Sequence, residues 1–304
     1  MRRALASLAL AALLAAHGAH AAAAAPVTSL PFGSARALVM DEATGEVLMS
    51  KNAETAAPIA SITKLMTAMA VLDAGLDLQE PIAISVADMD TLKHTRAGLP
   101  VGAVLERGAL LELALIASDN HAAAALARTF PGGLDGFRVA VQAKLASLGL
   151  TQTLIVEPTG LSAQNRSTAS DLAVVLRAAS AYDLIAAITS SPTHATLVNG
   201  RPWAVRNTNG LVGRPGWTIL ASKTGYTQEA GRCLVMRVQT TGRTLLVVLM
   251  GASRSTQRAN DANNVVRWLA GDTLTAEAKP RSALRPVKKQ RRTHARQAAA
   301  RLVS

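Results

Sequence analysis

The sequence predicts an α+β fold, an antiparallel sheet flanked by helices and closed by an early and a late segment, with a helical lobe inserted between them. Three observations predict it. Residues 36–41 and 47–50 alternate around Ala43-Thr44-Gly45, which reads as a β-hairpin. A second hairpin is read from 233–238 and 244–250, flanking Thr241-Gly242-Arg243. Between them apolar residues recur at three- and four-residue spacing through 61–74, 106–129, 137–148 and 169–180, the period of helices that bury one face. Strands at both ends of a helical middle imply one sheet with an insertion, and a last helix over roughly 254–270 would cover one sheet face.

Composition sets the outer limits. The chain has 304 residues, 49% hydrophobic, 17% charged and 3% aromatic, with a single cysteine and a formal net charge of +12. Those values exclude a disordered polymer, a collagen and a disulfide-stapled miniprotein. The charge sits at the ends. Residues 279–304 hold nine Lys or Arg and no acid, and Arg2 and Arg3 add two more, which leaves +1 for 26–278. Nucleic-acid binding is therefore not expected of the body of the protein, and the tail is a separate question.

The first 25 residues read as an export signal. Arg2 and Arg3 precede a run of about a dozen apolar residues and then small residues that include Ala19-His20-Ala21. A core that short falls below the roughly 20 residues that span a bilayer as a permanent helix, so cleavage near Ala21 to Ala25 is expected, with an uncleaved anchor as the alternative. A periplasmic location follows. The expected organisation is a signal at 1–25, a catalytic domain at 26–272 with its helical lobe over roughly 85–205, and a basic tail at 273–304.

Chemistry begins at Pro58-Ile59-Ala60-Ser61-Ile62-Thr63-Lys64, where the proline and the periodic run that follows place Ser61 in the first turn of a helix. A residue three positions on shares its face, so the Ser61 hydroxyl and the Lys64 amine can meet. A serine hydroxyl is a weak nucleophile until a base removes its proton. A lysine in water, with a pKa near 10.4, is neutral only about once in a thousand at pH 7 to 7.5. Burial and a second cation lower that pKa, and a shift of roughly three units makes the amine a workable base.

Two further elements supply what this pair lacks. Ser118-Asp119-Asn120 ends the apolar stretch 110–117; Ser118 can relay a proton between Lys64 and a leaving amine, and Asn120 can hold a substrate amide. A second Ser-x-Asn, Ser50-Lys51-Asn52, precedes Ser61 on a predicted strand and is set aside. Lys223-Thr224-Gly225 stands just before the strand beginning at Cys233, on an expected sheet edge that offers backbone groups to an extended peptide. Gly225 would admit the substrate backbone, Thr224 would bond a carboxylate, and Lys223 would be the second cation. The amides of Ser61 and Tyr226 would form an oxyanion hole.

Ser-x-x-Lys, Ser-Asp-Asn and Lys-Thr-Gly in this order resemble the signature set of penicillin-binding proteins and class A β-lactamases. Glu157-Pro158-Thr159-Gly160-Leu161, Ser167-Thr168-Ala169-Ser170-Asp171-Leu172 and Lys223-Thr224-Gly225-Tyr226-Thr227 with Ala230-Gly231 extend the likeness to low-molecular-mass DD-peptidases over about 30 to 270. Within that group the chain is most similar to D-alanyl-D-alanine endopeptidases of the penicillin-binding protein 7 and 8 type, through residues 61–69, 115–120 and Lys93-His94-Thr95-Arg96. The resemblance implies a DD-peptidase/β-lactamase-like fold, with the active site where the sheet meets the helical lobe. It implies an acyl-enzyme on Ser61, cleavage of D-Ala to diaminopimelate cross-links between peptidoglycan peptide stems, and inhibition by β-lactams. No cofactor or metal is expected.

The residues also bear on the alternatives. A D-alanyl-D-alanine carboxypeptidase shares the acylating machinery and is the runner-up; a non-catalytic envelope-binding protein is the third reading. Glu157 resembles a β-lactamase deacylating base in position, but its Gly160-Leu161 context matches peptidases. There is no Gly-x-Ser-x-Gly or His-Glu-x-x-His motif, Cys233 lies in a predicted strand without partners, and His94, His121 and His194 read as polar or packing residues. The basic tail reads either as an arm for an anionic envelope surface or as a solvated extension.

Overall fold

The apolar strands near the carboxyl end are buried along nearly their whole length because both faces of the sheet are covered. A computed structural model of the chain describes residues 32–94, 98–240 and 242–269. Its main sheet has the order β2-β1-β11-β10-β9, formed by β1 (Arg36–Asp41), β2 (Val47–Lys51), β9 (Thr218–Thr227), β10 (Gly231–Thr240) and β11 (Arg243–Ala252), and every neighbouring pair is antiparallel. The two expected hairpins are β1-β2 and β10-β11, and β1 pairs with β11, so the early and late segments close on one another as expected. The signal sequence, Thr241 and the basic tail lie outside the described residues.

Side-chain alternation sends successive residues to opposite faces. Leu38, Val235, Leu246, Val248 and Met250 join a large core with α1 (Lys64–Asp73) and α5 (Ala169–Ser180). Ala37, Val39, Leu234, Met236, Val247 and Leu249 form a second core that includes Ala262 and Val265 of α7 (Ser255–Leu269). This last helix coincides closely with the expected one. Its buried Asp261 accepts from the Gly33 and Ser34 amides at 2.9 and 2.7 Å and from the Ser34 hydroxyl at 2.6 Å, fastening α7 to the segment that enters β1.

The inserted lobe is built from α2 (Arg107–Ile116), α3 (Asn120–Arg128), α4 (Gly133–Ser147) and α6 (Asp183–Ser190), with the short pairs β4 (Pro81–Ala83) with β5 (Val104–Glu106) and β7 (Thr193–Val198) with β8 (Arg201–Arg206). A further short pair, β3 (Ala57–Pro58) with β6 (Arg166–Ser167), ties the chain that leads into Ser61 to the chain that leads into α5. The expected helix over 106–129 is two helices. Ser118 takes a left-handed conformation, φ 61°, and the Asp119 side chain caps α3 by accepting from the Ala122 amide at 2.9 Å. Apolar spacing runs through the break because α2 and α3 bury residues in the same core. α4 begins at Gly133, earlier than the expected 137, because its first turn carries little apolar pattern. Neither α6 nor the β7-β8 hairpin is anticipated by the sequence reading. Among the described residues no single helix is long and apolar enough to cross a membrane.

Candidate active site

Ser61 lies in a 3-10 turn, Ala60–Thr63, that runs directly into α1. The turn is entered by Ala60 at φ 49°, a left-handed conformation that a residue with a Cβ rarely adopts. Three contacts hold it. The Ile59 amide donates to the Asn165 carbonyl at 3.0 Å, the Thr63 hydroxyl donates to the Ala60 carbonyl at 2.8 Å, and Asn165 Nδ2 donates to Thr63 Oγ1 at 3.1 Å. Ser61 is partly exposed at the end of a buried helix, and Lys64, one turn on, is 1% exposed.

The Lys64 ammonium nitrogen has three partners. It lies 2.9 Å from Ser61 Oγ, 2.7 Å from Asn120 Oδ1 and 2.8 Å from the Thr159 carbonyl. Burial pushes its pKa down to about 7, while the carboxylates of Glu157 and Asp119 pull the other way. Lys223, also 1% exposed, donates to Ser118 Oγ at 2.9 Å and to the Thr224 carbonyl at 3.2 Å. Its pKa lies well below the ordinary lysine value, through burial first and then the positive charges of Lys64 and Arg258. The sequence reading cast Lys223 as the cation that depresses Lys64. In the structure burial is the main cause at both amines, and the like-charge repulsion falls on Lys223.

Strand β9 brings Lys223-Thr224-Gly225 to the free edge of the sheet, beside the Ser61 turn. A Cβ on Gly225 would stand 2.8 Å from the Ile59 carbonyl and 3.1 Å from the Ser61 nitrogen, so only glycine permits this approach. The Thr224 hydroxyl donates to Thr208 Oγ1 at 2.7 Å. Tyr226 is half exposed, with the Arg232 guanidinium 3.4 Å above its ring centroid.

The structure therefore brings all three sequence elements to one place, where Ser61, Lys64 and Asn120 share one hydrogen-bonded cluster and Ser118 meets Lys223. Glu157 behaves differently from a base. Its carboxylate accepts from the Thr159 amide at 2.7 Å, the Thr159 hydroxyl at 2.6 Å, the Gly160 amide at 2.7 Å and Asn165 Nδ2 at 2.9 Å. It folds its own loop into the support that presents the Thr159 carbonyl to Lys64. Asn165, Thr159, Thr208 and Arg258 belong to this surrounding and were not singled out by the sequence reading; the resemblance string at 157–161 was the signal nearest to them. Cys233 is buried in β10, its thiol pushed up to about 11, and His121 Nδ1 lies 2.8 Å from the Leu99 carbonyl, consistent with packing roles. Of Lys93-His94-Thr95-Arg96, Thr95 and Arg96 lie outside the described residues.

A family model described as D-alanyl-D-alanine carboxypeptidase matches residues 21–254. The chain belongs to this family of serine peptidases. A D-alanyl-D-alanine endopeptidase of Pseudomonas aeruginosa is 40% identical over 257 residues, 83% of each chain, and one of Escherichia coli is 39% identical over 250 residues, 81% of each. A D-alanyl-D-alanine carboxypeptidase of Mycobacterium tuberculosis is 34% identical over 226 residues, 73% of this chain and 76% of its own. Among solved structures, a Streptomyces DD-transpeptidase superposes with a TM-score of 0.74 at 25% identity, covering 81% of this chain and 100% of its own. A Mycobacterium tuberculosis D-alanyl-D-alanine carboxypeptidase gives 0.72 at 30% identity, covering 83% and 96%. The α+β fold with its sheet between helices is that of the family.

Proposed function

We propose that the protein is an exported peptidoglycan DD-endopeptidase that cleaves D-Ala to diaminopimelate cross-links through an acyl-enzyme on Ser61 and is inhibited by β-lactams. The observation that carries this reading is a buried Lys64 amine, with a pKa near 7, within 2.9 Å of the Ser61 hydroxyl. The endopeptidase relatives of Pseudomonas aeruginosa and Escherichia coli favour the cross-link over a terminal D-alanine.

The residues account for each step. Neutral Lys64 takes the proton of Ser61 as Oγ attacks the carbonyl carbon of the cross-linking D-alanine, and the backbone N–H groups of Ser61 and Tyr226 receive the developing oxyanion. Collapse breaks the amide bond. The leaving amine takes a proton from the Lys64 ammonium through the Ser118 hydroxyl, which Lys223 orients at 2.9 Å. Water then attacks the ester, again with Lys64 as proton acceptor, and restores Ser61. Thr224 on the edge strand receives the carboxylate beside the leaving amine, and Asn120 fixes Lys64 in line with Ser61.

Export to the periplasm is part of this proposal and is supported by the basic start, short apolar core and small-residue site of residues 1–25. The tail at 273–304, with its concentrated positive charge, is assigned to anionic envelope surfaces. The experiment is turnover by the purified mature protein of a cross-linked muropeptide dimer and, separately, a monomeric pentapeptide, read by chromatography and mass spectrometry. Conversion of dimer to monomers with the pentapeptide intact is expected. Loss of one D-alanine from the pentapeptide with the dimer intact would make the protein a carboxypeptidase.

A further inference from the structure

One contact between the helical lobe and the main sheet is unused by the chemistry above. Lys93, in the segment between β4 and β5 of the helical lobe, pairs with Glu229 in the turn between β9 and β10, 136 residues away. Both side chains keep about a third of their surface in water, 32% and 39%. Glu229 follows Tyr226 and Thr227 in the turn that leaves the end of β9. With the leaving-group carboxylate at Thr224 and the oxyanion at Tyr226, the acyl-donating stem must run from Tyr226 toward Thr227 and the turn that holds Glu229. A strand advances roughly 3.3 Å per residue, so the residue preceding the cross-linking D-alanine lies about level with Thr227. A long side chain at that position has the turn holding Glu229 within its reach.

In the substrate proposed above that residue is diaminopimelate, whose side chain ends in an ammonium and a carboxylate on one carbon. We propose that Lys93 and Glu229 form the recognition site for that terminus, Lys93 taking the carboxylate and Glu229 the ammonium. The exchange is charge-balanced. Lys93 and Glu229 each trade one opposite charge for another, so no charge is left unpaired when the protein's own ion pair opens. A lysine at the same stem position offers only the ammonium, leaves Lys93 without a partner and is disfavoured. At each partly exposed contact the gain is modest, which predicts a preference for diaminopimelate over lysine of about three- to tenfold.

This inference rests on the DD-peptidase reading, but its test does not require the endopeptidase choice. The experiment compares kcat/KM for two stem peptides that differ only in diaminopimelate or lysine at the third position, using whichever of dimer or pentapeptide the wild-type protein cleaves. Lys93→Gln is expected to bring the ratio close to one, chiefly through KM on the diaminopimelate peptide, and Glu229→Gln to lower the same KM effect when the side-chain amine is free but not when it is acetylated. Acylation by benzylpenicillin, which lacks this terminus, is expected to stay at the wild-type rate in both variants. An unchanged ratio in Lys93→Gln, or an equal loss on both peptides together with slowed penicillin acylation, would overturn the assignment and leave the pair as a structural strut. Cleavage of the pentapeptide alone would instead overturn only the endopeptidase reading.

Discussion

Gly160 is packed against Ala60 so tightly that a Cβ on it would stand 2.0 Å from the Ala60 carbonyl oxygen and 2.8 Å from the Ser61 nitrogen. Its φ of +85° adds a conformational demand to the steric one. The loop that supplies the Thr159 carbonyl to Lys64 is thereby pressed against the turn that carries Ser61. Gly160→Ala is expected to destabilise the protein by about 1–3 kcal/mol from backbone strain alone and to slow penicillin acylation more than tenfold. Thermal unfolding and acylation kinetics check the two effects.

As the proposed base, Lys64 is expected to set the pH dependence of acylation. The protonated amine cannot accept the Ser61 proton, so the rate is expected to fall about tenfold per pH unit below a midpoint near 7 and to level off above it. Lys64→Arg keeps a positive charge at every accessible pH and should show no rising limb and no measurable turnover. Stopped-flow acylation between pH 5 and 9 measures both. A rate still rising about tenfold per unit at pH 9 would mean that Lys64 is not desolvated as the structure requires.

Glu157 organises the loop and acts on Lys64 through its charge. Glu157→Gln keeps the shape but loses the charge-assisted hydrogen bonds, each worth about 1.5–3 kcal/mol, and is expected to lower stability by about 2 kcal/mol or more. Because the carboxylate raises the Lys64 pKa, its removal should move the acylation midpoint to lower pH. The same variant separates a peptidase from a β-lactamase: a deacylating base would leave the acyl-enzyme trapped, whereas a loop organiser slows acylation as well.

Much of this architecture was legible beforehand, for definable reasons. The β1-β2 and β10-β11 hairpins, α5 and α7 were visible because each buries a regular stripe or face against the core, which periodicity reports. Periodicity alone ran through Ser118, because apolar residues on both sides of it serve one core, but the polar Ser118-Asp119-Asn120 cluster marked a helix end there. The β7-β8 hairpin was hidden for the opposite reason: Thr193, Ala195 and Leu197 are exposed, so the strand carries little buried alternation. The side chains that meet at the candidate site were legible as three short motifs, but the hydrogen bonds of Glu157 and Asn165 that hold their surroundings are loop contacts with no period. The assignment of the Lys64 shift chiefly to burial required the three-dimensional packing.

None of the residues placed at the candidate site belongs to the basic tail. Deleting 279–304 removes nine positive charges and is expected to leave turnover of soluble muropeptides within about twofold of wild type. Retention on anionic vesicles or intact sacculi should drop, and more steeply at low salt. Co-sedimentation at two ionic strengths checks this against the activity assay.

The central claim is that Ser61 is the nucleophile, activated by Lys64. Its most direct test is mass spectrometry of the protein after brief exposure to benzylpenicillin, with the adduct located by peptide mapping. A single penicilloyl group on Ser61 is predicted, absent from Ser61→Ala and formed orders of magnitude more slowly in Lys64→Ala. An adduct on another residue, or Lys64→Ala acylating at the wild-type rate, would contradict it.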